Sequence, residues 1–153
     1  MERESRNIYK TARTVAGLTQ ERWAEAIGVS VDSVRNYEAG TQIPSDEIVR
    51  AMSEISGLAP LSYWHLCHKS ELAADMLPEV ERVPLPQAVC ALVSRMEDFV
   101  LTCPDQLLRM AADGQIDEME RKDYDGILEA LDGIVQAALQ LKYAEGGGKN
   151  EDG

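Results

Sequence analysis

Long apolar runs are missing from this sequence. No stretch approaches the ~20 consecutive apolar residues that a membrane-spanning helix needs. The N-terminus, Met-Glu-Arg-Glu-Ser-Arg, lacks the apolar core of a secretory signal. These two absences predict no membrane partner and favour a cytoplasmic protein.

Cysteine and histidine are scarce, and their spacing excludes the commonest sites built from them. The three cysteines have an odd count and no Cys-x-x-Cys spacing, which predicts reduced and mostly buried thiols. Both histidines lie in the segment His65-Leu-Cys-His68, where zinc would need a second ligand pair that the sequence does not show. Neither a Ser-His-Asp arrangement nor a glycine-rich phosphate loop has support. We therefore predict no enzyme, no metal and no cofactor.

An acidic segment, Asp113-Gly-Gln-Ile-Asp-Glu-Met-Glu120, matches only the later half of a calcium-binding EF-hand loop. The earlier ligand positions of such a loop would be Arg109 and Ala111, which cannot coordinate calcium. A helix that stops at Asp113-Gly114, followed by Asp117 as the cap of a last helix, explains the segment without a metal.

Residues 17–40 predict two short helices joined by a tight turn. Thr19 can cap the first helix and Gly28 can end it, because glycine adopts positive φ without steric cost. Ser30 can cap the second helix. Apolar residues recur at helical spacing and give each helix an inward face; they are Trp23, Ala24, Ile27, Val31, Val34 and Tyr37. Two helices in this arrangement can place the second one in the major groove of DNA.

The same region carries the run Arg13-x-x-x-Gly-Leu-Thr-Gln-Glu-x-x-Ala-Glu-x-x-Gly-Val-Ser-x-x-x-Val-x-x-Tyr-Glu-x-Gly-x-x-x-Pro. It resembles the helix-turn-helix domain of the phage repressor/Cro (XRE-like) transcriptional regulators, over about residues 6–57. The resemblance implies a compact bundle of about five helices, here at about 4–16, 19–27, 30–38, 45–56 and 61–69. It also implies an ion pair between Arg13 and Glu38, and a contact of Gln20 with the DNA backbone. Trp23 departs from the pattern, which usually has a smaller aliphatic residue.

The second helix of the motif would present its N-terminal half to DNA bases. Asn36 can pair bidentately with adenine, whereas Arg35 can reach either a base or a phosphate. Asp32 repels phosphates and can accept only from cytosine or water. The loop after this helix offers further phosphate contacts. The predicted DNA-binding residues are Gln20, Ser30, Val31, Asp32, Ser33, Arg35, Asn36, Thr41 and Gln42.

A formal net charge of −12 opposes a simple DNA-binding module, but it is unevenly distributed. Residues 1–57 hold seven Lys and Arg against nine Asp and Glu, while residues 58–153 hold eight against eighteen. The acidity therefore belongs mainly to the second half. A nearly neutral domain can still bind DNA with a few well-placed cations and helix N-termini aimed at phosphates.

Beyond the motif the pattern is again helical, interrupted by prolines. A helix over about residues 61–76 precedes three prolines within residues 77–86, which predict an extended linker. Two apolar stripes follow, comprising Val89, Leu92, Val93, Met96 and Phe99, and then Ile127, Leu131, Ile134, Ala138 and Leu141. The predicted domains are a DNA-binding domain (1–76), a proline-rich linker (77–86), an acidic helical dimerisation or interaction domain (87–144) and a disordered tail (145–153).

These observations predict an all-α protein with a repressor/Cro-like five-helix domain and a C-terminal helical hairpin or bundle. Its predicted function is sequence-specific binding of double-stranded DNA as a transcriptional regulator, associated with the nucleoid. A single helix-turn-helix reads few base pairs, so we expect a dimeric repressor that inserts helix 30–38 into the major groove. The alternative is a protein-interaction or antitoxin-like module, whose C-terminal helices bind another protein and whose DNA binding is secondary.

Overall fold

The computed structural model describes residues 7–146, which form nine helices and no strand. The all-α prediction is therefore confirmed. The chain divides between Leu77 and Pro78 into two units, each described by itself. The first unit contains α1 (Ile8–Ala16), α2 (Gln20–Ile27), α3 (Val31–Ala39), α4 (Asp46–Ser56), α5 (Leu61–Lys69) and α6 (Glu71–Met76). Within residues 7–146 no helix has both the length and the apolar character needed to cross a bilayer.

Side-chain caps explain where the helices of the first unit begin. Asn7, Thr19, Ser30 and Ser45 each accept a hydrogen bond from a backbone N–H in the first turn of α1 to α4, respectively. Each of these helices ends at a glycine in the left-handed conformation, as at Gly28, where φ is 74°. Local chemistry thus sets these boundaries.

The core of the first unit brings together side chains from α1 to α5. Trp23 is 1% exposed and lies with Tyr9, Val34, Met52 and Leu61 in one buried cluster. A large indole at position 23 is therefore part of the packing, and it fills space in the centre of the unit. Truncation of a buried side chain of this size to alanine costs about 3–5 kcal/mol.

The helix predicted over 61–76 is in fact two helices, which is a correction to the sequence interpretation. The chain is extended at Ser70, with φ −127° and ψ 113°, and the Ser70 side chain caps α6 by accepting from the Ala73 N–H. Serine competes with the helical backbone for hydrogen bonds, so it favours a cap over a helix interior.

The second unit contains α7 (Leu85–Thr102), α8 (Pro104–Met110) and α9 (Arg121–Lys142). The start of α7 packs on the end of α9, where Ala88 lies in a cluster with Ala144 and Leu141. The end of α7 packs on the start of α9, where Cys103 lies in a cluster with Ile127. The two long helices are therefore antiparallel neighbours.

Three details of the second unit differ from the sequence prediction. In the predicted linker 77–86, Val80 and Val83 are buried and α7 already begins at Leu85. Asp117 accepts hydrogen bonds from the N–H groups of Met119 and Glu120, so it organises the turn before α9 and does not cap that helix.

The third detail concerns the predicted disordered tail 145–153, whose first residue is held in place. The Glu145 N–H donates to the Val83 carbonyl at 3.0 Å, and its own carbonyl accepts from the Leu85 N–H at 3.1 Å. The Glu145 carboxylate also lies 3.0 Å from Arg82 Nε. Residues 147–153 of that predicted tail lie outside the described residues, as do residues 4–6 of the helix predicted at 4–16.

Candidate nucleic-acid interface

Helices α2 and α3 form the two-helix motif that the sequence predicts. Gly28 and the extended Ser30 turn the chain between them. The buried residues Ala24 and Ile27 on α2, and Val34 and Tyr37 on α3, face the common core. The opposite face of α3 is left in solvent, and it is the surface available to a ligand.

Two charged side chains dominate that exposed face. Arg35 Nη1 lies 3.0 Å from Asp32 Oδ1, three residues earlier on the same helix. Both side chains are more than half exposed. Asp32, which the sequence predicts to repel phosphates and to accept only from cytosine or water, is thus paired. It holds the Arg35 guanidinium beside the N-terminal half of the helix.

Asn36 follows on the same face and connects α3 to the next loop. The N–H groups of Thr41 and Gln42 both donate to the Asn36 carbonyl, at 3.0 and 3.3 Å. The Thr41 hydroxyl lies 3.3 Å from the Asn36 side-chain oxygen. The structure therefore brings these three predicted residues together. An adenine that paired bidentately with Asn36 would compete with the Thr41 hydroxyl for that oxygen.

The remaining predicted residues of α3 are partly used by the fold. Ser30 accepts from the Ser33 N–H at 3.1 Å, and their hydroxyl oxygens are 2.9 Å apart. Val31 is half-buried and packs against the core cluster. Ser30 and Ser33 thus stabilise the first turn of α3, and Val31 offers only part of its side chain to a ligand.

Arg13 and Glu38 join α1 to the end of α3. Arg13 donates from Nε to Glu38 Oε1 at 2.6 Å and from Nη2 to Oε2 at 3.1 Å, and its Nη1 donates to the Leu18 carbonyl at 3.0 Å. Gln20 donates from Nε2 to the same Glu38 carboxylate at 2.9 Å. The side chain that the resemblance assigned to the DNA backbone is therefore bonded to Glu38 in this structure.

The electrostatics of this pair favour its charged form. Burial would raise the pKa of Glu38, but the hydrogen bonds from Arg13 and Gln20 outweigh it, and the pKa is lowered. The hydrogen bond with Glu38 raises the pKa of Arg13. A planar guanidinium matches a carboxylate with two parallel bonds, so the pair fixes the orientation of α3 as well as its position.

Asn7 is a positioning residue that the sequence interpretation did not identify. Its side chain caps α1 by accepting from the Lys10 N–H, and its Nδ2 donates to the Tyr37 carbonyl at 2.8 Å. It therefore ties α1 to the last turn of α3. Its position before an amphipathic helix was the available signal for the cap, but the bond to Tyr37 depends on the tertiary fold.

The histidine segment is also used within the first unit. Buried His65 lies with Nδ1 2.9 Å from the Tyr9 hydroxyl and Nε2 3.0 Å from Asp46 Oδ1. Lys69 Nζ lies 2.8 Å from the same carboxylate oxygen. Hydrogen bonds from Lys69 and His65 lower the pKa of Asp46, and burial raises the pKa of Tyr9 to about 12. Residues 7–146 contain no group of three or more His, Cys, Asp or Glu side chains arranged to hold a metal.

Comparison with protein families gives one match for this chain. Residues 10–63 match the family described as helix-turn-helix, which covers α2 to α4 and parts of α1 and α5. The resemblance seen in the sequence is thereby confirmed over these residues, which are about a third of the chain. No match was found among curated proteins or among solved structures.

Proposed function

We propose that this chain, whose residues 10–63 are a helix-turn-helix domain of the repressor/Cro (XRE-like) kind, binds a specific double-stranded DNA sequence through the exposed face of α3. The family match supports a DNA-binding transcription regulator in general. The finer proposal is that α3 enters the major groove, that two copies bind one site, and that the bound protein represses transcription.

The observation that carries this proposal is the exposed face of a helix whose other face is buried and hydrogen-bonded within its unit. Asp32, Arg35 and Asn36 lie in solvent on α3, and all three side chains can hydrogen-bond to base edges. Arg13 and Asn7 hold the last turn of the same helix through Glu38 and the Tyr37 carbonyl. A site built on a fixed helix can repeat the same contacts at each binding event.

Two copies are proposed because one helix-turn-helix reads only a few base pairs. Useful specificity in helix-turn-helix proteins comes from two half-sites about one turn of DNA apart, ~34 Å. A repressor would act by occupying a site that overlaps a promoter, as the resemblance implies. Association with the nucleoid follows from the same proposal.

The test is selection of DNA fragments from a random double-stranded pool by the full chain. We expect enrichment of one motif repeated with two-fold symmetry, and an affinity that falls as salt rises, because phosphate contacts release counterions. Failure to enrich any sequence, or equal affinity for the best fragment and for random DNA, would overturn the proposal.

A matched pair of arginine variants sharpens this experiment. Arg35 on α3 and Arg22 on α2 are both exposed, and each pairs with an acid three residues away. Arg35→Ala should change or relax the selected motif, whereas Arg22→Ala should select the same motif as the unmodified chain. A reporter driven by a promoter that overlaps the selected site then tests repression.

A further inference from the structure

The second unit leaves a row of apolar side chains in solvent on α7. Val89, Val93, Met96 and Val100 are each at least 41% exposed, and their spacing of four, three and four residues is that of a heptad seam. Helix α9 carries a second exposed row, consisting of Leu128, Leu131 and Val135, with spacings of three and four. We name the two rows together the outer stripe.

Each residue of the outer stripe directly follows a residue that faces the other helix of the α7–α9 pair. Ala88 is 1% exposed and Val89 is 41%, while Ile127 is 2% exposed and Leu128 is 40%. The stripe predicted from the sequence on α7 is therefore split, because Phe99 packs against the buried cluster whereas Met96 remains in solvent.

Both rows lie on the same side of the α7–α9 pair. Successive residues of a right-handed helix are turned by about 100° around the axis. In an antiparallel pair the two helices face each other and run in opposite directions. On each helix, the residue that follows an inward-facing residue is therefore turned toward the same side of the pair. Arg95 lies one heptad after Ala88 and likewise faces α9, since its Nη1 donates to the Gly133 carbonyl, and Met96 of the outer stripe directly follows it. The outer stripe is therefore one continuous apolar face.

We infer that this face binds the same face of a second copy of the chain, so that two α7–α9 hairpins form a four-helix bundle. Heptad spacing on both helices is the pattern by which helices pack knobs into holes in such bundles. A two-fold axis brings each row against an equivalent row, which makes the face complementary to itself. This inference supplies the contact required by the proposed two-copy binding of DNA, on which it rests.

The size of the face can be compared with that of a standard dimer interface. The 18 residues of α7 extend over about 27 Å at 1.5 Å per residue. Two helices side by side are roughly 20 Å wide, so the flat outline is about 500 Å² and the area with side-chain relief is larger. A standard interface buries about 800 Å² from each partner. The exposed face is thus of the order that a dimer needs.

The charges determine how the association should respond to salt. Residues 78–146 contain six Lys and Arg against fourteen Asp and Glu. Acids flank the outer stripe, since Glu97 follows Met96, and Glu129 and Asp132 follow Leu128 and Leu131. Two copies bring acid near acid, so screening by salt should tighten the pair. A basic partner protein on the same face would bind more weakly as salt rises.

Sedimentation equilibrium of the full chain tests the inference. We expect a dimer whose dissociation constant decreases as the salt concentration is raised from about 50 mM to about 500 mM, a range over which charge screening becomes strong. Val93→Glu and Val135→Glu should each raise the dissociation constant of the dimer roughly 100-fold or more, because every dimer would bury two carboxylates between the two outer stripes.

Leu101→Glu is the matched control on α7. Leu101 is 82% exposed, but it lies outside the outer stripe, so the variant should dimerise as the unmodified chain does. Circular dichroism of all three variants checks that the helices are retained. Two results would overturn the inference. One is a dimer that Val93→Glu leaves unaffected. The other is an unmodified chain that stays monomeric at every salt concentration at 100 µM, which is roughly a hundred times a micromolar Kd. Affinity for a single DNA half-site is measured separately, so that loss of the dimer is distinguished from failure of the DNA-binding proposal.

Discussion

Removal of the Arg13 side chain tests what holds α3 in place. In Arg13→Ala the Glu38 carboxylate loses the two hydrogen bonds at 2.6 and 3.1 Å, and the Leu18 carbonyl loses one at 3.0 Å. Glu38 is only 8% exposed in its side chain, and it keeps one bond, from Gln20. The variant therefore leaves a nearly buried carboxylate without its cation.

Breaking one partner of a buried ion pair costs about 3–5 kcal/mol. Arg13 retains 17% side-chain exposure, and Gln20 still bonds to Glu38, so we expect a smaller cost, about 2–4 kcal/mol. For a unit of this size each kcal/mol lowers the melting temperature by about 4–8 °C, so the expected drop is about 8–32 °C.

Tryptophan fluorescence is the suitable assay, because the two tryptophans of the chain, Trp23 and Trp64, both lie in the first unit. Urea denaturation followed at these residues reports that unit within the full protein. Arg22→Ala is the control. Its ion pair with Glu25 is 3.4 Å long and about three-quarters exposed on both sides, so its loss should cost less than about 0.5 kcal/mol.

In Arg13→Ala the free energy of DNA binding by the folded protein should change less than the free energy of unfolding.

A second measurement uses the lowered pKa of Glu38. Since the folded pKa lies below the unfolded one, the stabilisation is complete above the unfolded pKa and is lost as pH falls through the folded pKa. The stability gap between the unmodified chain and Glu38→Gln should therefore narrow below about pH 4.5. Unchanged stability of Arg13→Ala, together with a shallower salt dependence of DNA binding, would refute the structural role and place Arg13 on a phosphate.

Three further predictions concern the same unit. Asn36→Ala should weaken specific DNA binding by ~1–3 kcal/mol and leave binding to random DNA nearly unchanged, since a base contact and no charge is lost; equal losses on both DNAs in a binding titration would contradict this. Asp32→Asn removes the negative charge paired with Arg35, so fragment selection should show a weaker base preference at one position. A binding titration should show tighter binding to random DNA, because one charge that repels phosphates is lost. An unchanged motif would count against the pairing. The pKa of Tyr9 is raised to about 12, so the contribution of its neutral hydroxyl to the free energy of unfolding should be complete below about pH 10 and should be lost between about pH 10 and 12. Tyr9→Phe should remove that loss in urea denaturation, and a loss that persists in the variant would assign it elsewhere.

Several helix boundaries of the first unit could be predicted from the sequence because they depend on neighbouring residues. Thr19 and Ser30 cap α2 and α3 as the sequence indicates, and Gly28 adopts the left-handed conformation that ends α2. Side-chain caps and positive φ act within three or four residues, so the linear sequence contains the required information.

The candidate interface was only partly predictable. The sequence placed Arg35 and Asn36 on the exposed face of a helix, since helical periodicity assigns residues to faces. It also places Asp32 and Arg35 three residues apart on one helix, where side chains are neighbours, so their pair could have been predicted. It could not show that Gln20 donates to Glu38 eighteen residues away, because that bond depends on how α2 and α3 are packed.

In the second unit the sequence determined that α7 and α9 are apolar along one broad arc, and the tertiary structure decided how that arc is divided. An arc of apolar residues fixes the amount of surface a helix must cover, but it does not specify which part faces which neighbour. Antiparallel packing buried Ala88 and Ile127 and left Val89 and Leu128 in solvent. The register and direction of two helices set that division, because a rotation of one residue, about 100°, separates a buried side chain from an exposed one.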